Sequence, residues 1–219
     1  DFKTRGREGF PVFAVADGLV TRVKVSPWGY GHALYLKHDD GSTSVYAHLS
    51  RYSSSIEAWL VKRQYSSRSF GIDARPVSEI KFAQGDTLGW SGNSGSSGGP
   101  HLHFEMRDKN QKPINPLQWD FEISDSRSPE VGKLWVIPVD SKGQENRNDV
   151  QTVSKGDTVK ISPGSVNLCV EAKDRLDGAQ NVCGIYKLEV EINGSLFSSY
   201  SIDTLDFSVN KDMNAHSYY

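Results

Sequence analysis

Two histidines stand two positions apart in a run that is otherwise typical of a β-strand, residues 99–105 (GPHLHFE). Side chains at positions i and i+2 of a strand project from the same face. His101 and His103 are therefore predicted to lie side by side, with Leu102 and Phe104 pointing toward a core. Paired imidazoles favour a metal site or acid–base catalysis. Two histidines that pair at a surface, or that are satisfied in a core, would produce the same pattern.

A loop with little side-chain bulk, residues 91–99 (SGNSGSSGG), precedes this run. An extended ligand can approach such a backbone closely because glycine has no side chain. Glu105 shares the face of the two histidines. It is either a carboxylate that orients a metal ligand or a solvent-facing residue. Trp28 and Tyr30, in another glycine-containing loop, either line the groove or pack beneath their loop.

The composition describes a folded globular protein. The chain has 219 residues, 37% hydrophobic and 24% charged, enough for one large domain or two ordinary ones. The net charge of −2 without a basic run argues against nucleic-acid binding. No apolar stretch approaches the ~20 residues that span a bilayer. The sequence starts at Asp1 without an initiator methionine or signal peptide, which indicates a processed or cut chain and leaves the compartment open.

The first half of the chain predicts an antiparallel sheet, because its short strands are separated by glycine turns with no helix between them. Residues 19–25 alternate, with Leu19, Thr21, Val23 and Val25 on one face. Further strands are predicted at 11–15, 33–38, 43–49, 88–90 and 101–105, with a turn at 17–18 and a hairpin turn at 39–41.

Residues 53–67 break this pattern. Ile56, Trp59 and Leu60 follow helical spacing, and Ser54 with Glu57 three residues later resembles a capping box. We therefore predict an inserted helix, and with its following loop the insertion spans about residues 53–78.

After residue 119 the sequence changes character, and residues 120–130 are predicted to be a linker. Residues 131–219 are predicted to form a β-sandwich-like accessory domain, complete or truncated. Its strands are expected at 133–139, 158–161, 166–172, 184–192 and 196–202, with a hairpin at Asn193-Gly194. Cys169 and Cys183 fit no metal spacing; they form one disulfide or remain two thiols.

Several separate segments together resemble the LytM/lysostaphin-type zinc metallopeptidases, which cut peptide bonds of bacterial peptidoglycan. The resemblance covers about residues 1–118, and the inserted helix and C-terminal β domain resemble versions found in Bacteroidetes-type bacteria. The matching segments are 12–20, 44–49 with His48, 85–95, 98–105 and Asn115-Pro116.

This resemblance implies a small antiparallel β-sheet groove of the duplicated-hybrid type with zinc at its floor. Asp1 matches the aspartate of the family's His-x-x-x-Asp motif and His103 the second histidine of His-x-His, so both are expected to bind Zn²⁺. The first histidine would fall four positions before Asp1, and we expect the natural protein to carry it. His101 is then the general base. His48 orients or stabilises the oxyanion, or is simply a histidine hydrogen-bonded at a strand end.

The other histidines receive no catalytic role. His38, before a hairpin turn, is expected to be exposed, and His32 to be structural. His216 is not assigned.

The resemblance implies a zinc metalloendopeptidase of the cell envelope, periplasmic or secreted, that acts on peptidoglycan peptides. It would not span the membrane, and no partner for the accessory domain follows from the sequence. An alternative is a catalytically inactive relative that regulates or binds cell-wall hydrolases. Retention of Asp1, His48, His101 and His103 favours the enzyme. A biotinyl- or lipoyl-type carrier is disfavoured, because no lysine stands at a hairpin tip with the neighbours that a carrier needs.

Overall fold

The structure is a computed structural model that describes residues 1–77, 79–119, 121–154, 156–161 and 163–209. The chain forms two compact units. The first comprises Asp1–Trp119 and Thr204–Phe207, and the second contains the described residues between 121 and 203 together with 208–209. The described residues are mainly β, with a curled antiparallel sheet and one α-helix, which confirms the predicted fold class. The domain boundaries and the sandwich packing of residues 131–219 stay predictions.

In chain order the elements of the first unit are β1 (Phe2–Lys3), β2 (Pro11–Phe13), β3 (Gly18–Val25), β4 (Ala33–Lys37), β5 (Thr43–Ala47), β6 (Leu49–Tyr52), α1 (Ser54–Ser67), β7 (Ile72–Ala74), β8 (Lys81–Phe82), β9 (Thr87–Ser91), β10 (His101–Arg107) and β11 (Pro113–Ile114). The unit is built on an eight-stranded antiparallel sheet with the order β1-β10-β5-β4-β3-β7; β11 pairs with β10, and β8 with β3. A second sheet has the order β2-β9-β6.

The core of this unit lies around β4 and β5. Leu34, Leu36, Val45 and Tyr46 are fully or almost fully buried there. Both strands are central in the sheet, and side chains on both of their faces are buried. This buried centre supports β10, the strand that carries the histidine pair.

A β-bulge changes the alternation expected for β3. The register with β4 shifts between Val20 and Arg22, so the strict alternation of residues 19–25 is wrong in its first half. Val20, Val23 and Val25 are buried, whereas Leu19 is only partly covered. An extra residue in one strand moves the following side chains to the other face.

The inserted helix is confirmed, but its start differs from the prediction. The N-cap is Ser53, its side chain makes no capping hydrogen bond, and the capping box at Ser54 is therefore wrong. Glu57 instead accepts the backbone N–H of Tyr52 at 2.9 Å. Ile56 and Leu60 bury the inner face of the helix, as the spacing predicted.

His38 is buried, so the expectation that it is exposed is wrong. Its Nδ1 lies 2.7 Å from the carbonyl oxygen of Asp17 and its Nε2 2.8 Å from the hydroxyl of Ser44. Gly18 makes room for this ring, since a Cβ there would lie 3.1 Å from His38 Nδ1. The ring of His32 packs 5.7 Å from that of Tyr52. His216 lies outside the described residues.

The second unit contains a three-stranded sheet and a separate hairpin. The strands are β12 (Glu130–Val139), β13 (Gln151–Val153), β14 (Ser165–Lys173), β15 (Lys187–Ile192) and β16 (Ser195–Ser201). The sheet order is β13-β12-β14, and β15 pairs with β16. Asn193 and Gly194, with φ of 53° and 76°, form the predicted hairpin turn. The predicted strand at 158–161 is wrong: the strand lies at β13, where Val153 is buried opposite Leu134.

The two cysteines are separate thiols, so a Cys169–Cys183 disulfide is excluded in this structure. Cys183 pairs with Asp174, five residues along the chain from Cys169. At about 3.3 Å per strand residue this separation is roughly 17 Å. A disulfide needs Cα atoms within about 7 Å.

We therefore expect two reactive thiols per chain when the unfolded, unreduced protein is titrated with a thiol reagent. Cys169→Ser should lower the count to one. A count of zero in protein taken from an oxidising compartment would contradict the strand pairing that separates the two cysteines.

Candidate active site

The register of three strands gathers the predicted site residues. β1 pairs antiparallel with β10 through Phe2↔Leu102 and Lys3↔His101, which places Asp1 opposite His103. On its other side His103 pairs with Ala47 of β5, directly before His48. Three segments that are far apart in sequence therefore meet at one end of the sheet.

The site combines three imidazoles and one carboxylate. Asp1 Oδ1 lies 2.9 Å from His103 Nδ1 and 3.8 Å from His101 Nε2. The ring of His48 lies 4.8 Å from that of His101 and 5.8 Å from that of His103, centroid to centroid. The structure thus brings all four sequence-predicted residues together. The roles assigned to them stay predictions.

His101 is oriented by the backbone of the glycine loop. Its Nδ1 lies 2.8 Å from the carbonyl oxygen of Gly99, and the Ser97 hydroxyl is 3.3 Å away. A carbonyl oxygen only accepts hydrogen bonds, so Nδ1 carries the proton. Nε2, the nitrogen nearer Asp1, is then the one available for proton transfer.

His48 is held in the same tautomer by a second loop. Its Nδ1 donates to the carbonyl oxygen of Ser94 at 2.8 Å. Burial lowers the pKa of His48, and the nearby His101 and His103 lower it further, so the neutral ring is favoured. The backbone of His48 has φ = 58°, a left-handed conformation that costs non-glycine residues about 1–2 kcal/mol. It joins β5 to β6, which belong to different sheets.

Two loops interlock to hold Ser94 in place. The Ser94 hydroxyl accepts from the N–H of His32 at 2.9 Å and donates to the carbonyl of Leu49 at 2.8 Å. Gly31 is so close that a Cβ there would lie 2.4 Å from the Ser94 carbonyl carbon, and one at Gly95 would lie 2.3 Å from the carbonyl oxygen of Gly29. Side chains at either glycine would force the loops apart.

The second nitrogen of His103 is bound to a buried carboxylate. His103 Nε2 lies 2.7 Å from Glu105 Oε1, and the ring of Tyr30 stacks on His103 with a centroid distance of 4.9 Å. The Tyr30 hydroxyl also donates to Glu105. Glu105 is 8% exposed, so the alternative that it faces solvent is wrong. Trp28, by contrast, is largely exposed.

Arg107 completes this network and was not identified from the sequence. Its guanidinium donates to Glu105 Oε2 at 2.7 Å, and its side chain is almost fully buried. Burial alone would raise the pKa of Glu105, but hydrogen bonds from His103, Arg107 and Tyr30 outweigh it and lower the pKa to about 2. Removing one partner of a buried ion pair typically costs about 3–5 kcal/mol. The available sequence signal was position i+2 from Glu105, on the same face of β10.

Asp1 and His103 are donors of the types that zinc binds. Asp1 Oδ1 and His103 Nδ1 face each other, and the other ring nitrogen of His103, Nε2, is hydrogen-bonded to the carboxylate of Glu105. Metal-ligating histidines usually have such a partner on their second nitrogen. A catalytic zinc takes three protein ligands. The described part of the chain contains no group of three or more His, Cys, Asp or Glu residues arranged to hold a metal ion. Two donors therefore fit a zinc ion, and a third is not among the described residues.

Comparison with known proteins identifies the family. The model of peptidase family M23 matches residues 2–66. Lipoprotein NlpD of Yersinia enterocolitica is 32% identical over 114 residues, which are 52% of this chain and 93% of that protein. The chain belongs to peptidase family M23, as its motifs predicted.

Two further matches cover similar shares of the chain, 50% and 53%. The DD-carboxypeptidase/endopeptidase Mpg of Neisseria meningitidis serogroup B is 34% identical over 110 residues, 50% of this chain and 20% of that protein. The chain thus spans about a fifth of that relative's length. The catalytic domain of lysostaphin from Staphylococcus simulans is 24% identical, covering 53% of this chain and 72% of that one, with a TM-score of 0.38.

With Asp1 and His103 as its two predicted ligands, we expect the 219-residue chain to bind zinc weakly or not at all, because a catalytic zinc takes three protein ligands. A chain extended to carry a histidine four positions before Asp1 should bind tightly. In that extended chain, His103→Ala should abolish binding and His101→Ala should retain most of it. Calorimetric zinc titration measures all four proteins. Tight binding by the 219-residue chain would contradict this ligand count, and Glu105 would be the first additional ligand to test.

The interlocked loops predict a position-specific effect of alanine. Gly31 and Gly29 have nearly equal φ values of 63° and 60°, but a Cβ at Gly29 meets no atom within 4 Å. Gly29→Ala should therefore cost about 1 kcal/mol of unfolding free energy for its backbone conformation. Gly31→Ala should cost about 1–3 kcal/mol more because of the clash. Urea denaturation of the two variants provides the comparison, and equal losses would contradict the close packing.

Proposed function

We propose that the protein is a zinc metalloendopeptidase that hydrolyses peptide bonds of bacterial peptidoglycan. The convergence of Asp1, His48, His101 and His103 at one end of the sheet carries the proposal, because it provides metal donors beside two imidazoles suited to proton transfer. Membership of peptidase family M23 supports it, as does the likeness to a protein named as a carboxypeptidase and endopeptidase.

Asp1 and His103 would hold the zinc ion together with a further ligand. When bound, zinc polarises the scissile carbonyl and lowers the pKa of a bound water to about 7. His101 Nε2 accepts the proton of the attacking water, since Nδ1 is committed to Gly99. The same nitrogen then donates the proton to the leaving amine.

His48 faces the same reacting centre. As a neutral ring with its proton on Nδ1 it can only accept at Nε2, which suits orientation of the attacking water. Donation to an oxyanion, the role that the resemblance implied, requires the ring to carry a second proton. The tautomer set by Ser94 therefore favours the orienting role.

The glycine loop provides a surface for an extended peptide. Cβ atoms at Gly98 and Gly99 would meet nothing within 4 Å, so a substrate backbone can lie against this part of the loop. Gly99 also holds His101, which places the proposed base beside that surface. A peptide stem or cross-link of peptidoglycan fits such a backbone-lined edge.

A catalytically inactive regulator or binder of cell-wall hydrolases is the second candidate. The observation that favours it is the likeness to a protein named as a murein hydrolase activator. Zinc-dependent hydrolysis by a chain with the third ligand separates the two functions. A regulator would bind cell wall or a hydrolase without cleaving peptide bonds.

The proposed location is the cell envelope, periplasmic or secreted. The likeness to a protein named as a lipoprotein supports it. Within the described residues no helix is both long and apolar enough to cross a membrane. The net charge of −2 gives no reason to propose nucleic acid as a partner.

The test is release of muropeptides from purified peptidoglycan by the zinc-loaded extended chain, with mass spectrometry of the products. We expect new peptide amino termini and no cleavage of glycan. His101→Ala should slow release about 10²- to 10⁴-fold while zinc stays bound, because it removes the proton acceptor but no ligand. Lys62→Ala, an exposed residue of α1, serves as the matched control.

Two results would count against this division of roles. If His101→Ala loses zinc as completely as His103→Ala, then His101 is a ligand. If the zinc-loaded chain releases nothing but stimulates an added wall hydrolase, the regulator becomes the better interpretation.

A further inference from the structure

A series of contacts leads from His103 through Glu105 and Arg107 to Phe207, a residue 100 positions later in the sequence. The Cζ atom of Arg107 lies 5.5 Å from the ring centroid of Tyr35 and 5.8 Å from that of Phe207. The guanidinium that binds Glu105 thus has two aromatic neighbours. Phe207 belongs to Thr204–Phe207, a short segment of the first unit that we call the returning segment.

The returning segment is hydrogen-bonded to β11, which pairs with β10. The backbone N–H of Leu205 donates to the carbonyl of Pro113 at 2.8 Å, and Thr204 forms an isolated antiparallel bridge with Ile114. Pro113 itself pairs with Arg107. These pairings place Phe207 beside the Arg107 side chain.

We propose that the returning segment is a clamp on the proposed zinc ligand. Phe207 keeps water away from the Glu105–Arg107 pair, and this pair holds His103 with Nε2 on Glu105 and Nδ1 facing Asp1. Arg107 and Phe207 are positioning residues, since neither reaches Asp1, His101 or His48 by any contact described above. The inference rests on the proposed function, because a fixed orientation of the His103 ring serves zinc binding through Nδ1.

Shielding the Glu105–Arg107 pair from water matters because the strength of an ion pair depends on its surroundings. Coulomb attraction at a given distance is several times stronger near a protein surface than in bulk water, and stronger again in the interior. Asp1 cannot fix the His103 ring by itself, because its side chain is 58% exposed. Orientation therefore depends on the buried side of the ring, where Glu105, Arg107 and Tyr30 meet.

The first test observes the His103 ring directly and requires neither metal nor activity. In the ¹⁵N-labelled 219-residue chain, the Nε2–H that donates to Glu105 should give a downfield resonance protected from exchange with water. His103→Ala assigns it by its loss. Arg107→Met should abolish the resonance, and Phe207→Ala should speed its exchange about two- to fivefold, the effect expected for one cation–π contact. Phe207→Tyr should restore protection.

Phe70→Ala is the matched control, because Phe70 is an exposed aromatic residue of the same unit away from this network. It should leave exchange unchanged. Unchanged exchange in Phe207→Ala, or an equal change in Phe70→Ala, would overturn the clamp. If Phe207→Ala fails to fold, Phe207→Leu replaces it: faster exchange there supports the clamp, and wild-type exchange overturns it.

The second test is kinetic. In the zinc-loaded extended chain, Arg107→Met should lower kcat for peptidoglycan hydrolysis about 10- to 100-fold, because Glu105, the partner of the proposed ligand His103, loses its own support. Phe207→Ala should lower it less, and KM should stay the same in both. A raised KM with unchanged kcat would overturn the positioning role. If the wild-type chain does not hydrolyse peptidoglycan, the proposed function fails, while the ring resonance still decides the clamp.

Discussion

The site depends on the hydrogen-bonded register of one strand, β10, between β1 and β5. That register sets Asp1 opposite His103 on one side and Ala47 opposite it on the other. A slip of one residue in either pairing would turn the facing side chains to the opposite surface of the sheet. The buried centre of β4 and β5 makes such a slip costly, because it would expose a continuous apolar core.

The same strand carries charge beneath the site. His103, Glu105 and Arg107 share one face at a period of two, so the partly buried imidazole continues directly into a buried carboxylate and a buried guanidinium. Glu105 stays ionised because three donors outweigh the cost of its burial. An ion pair of this kind adds little net stability, but it fixes geometry, since each partner would be left uncompensated without the other.

The loops perform the corresponding task for the two other histidines. Carbonyl oxygens of Gly99 and Ser94 accept protons from Nδ1 of His101 and His48 and so select one tautomer for each ring. These loops pack closely because glycines let their backbones touch, most closely at Gly95 against Gly29. The left-handed backbone at His48 is tolerated because the chain must pass from one sheet to the other at that residue.

The sequence by itself determined the local features: the shared face of His101 and His103, the inserted helix, the Asn193-Gly194 hairpin and the antiparallel class. Each of these follows from periodicity or turn chemistry over a few residues. Tertiary structure alone decided the burial of His38, the separation of Cys169 from Cys183, and the bulge in β3. It also decided the part played by Arg107, which looks like any strand arginine until Glu105, Tyr35 and Phe207 surround it. Those outcomes depend on the register between distant strands, which hydrogen bonds and core packing fix together and no single segment encodes.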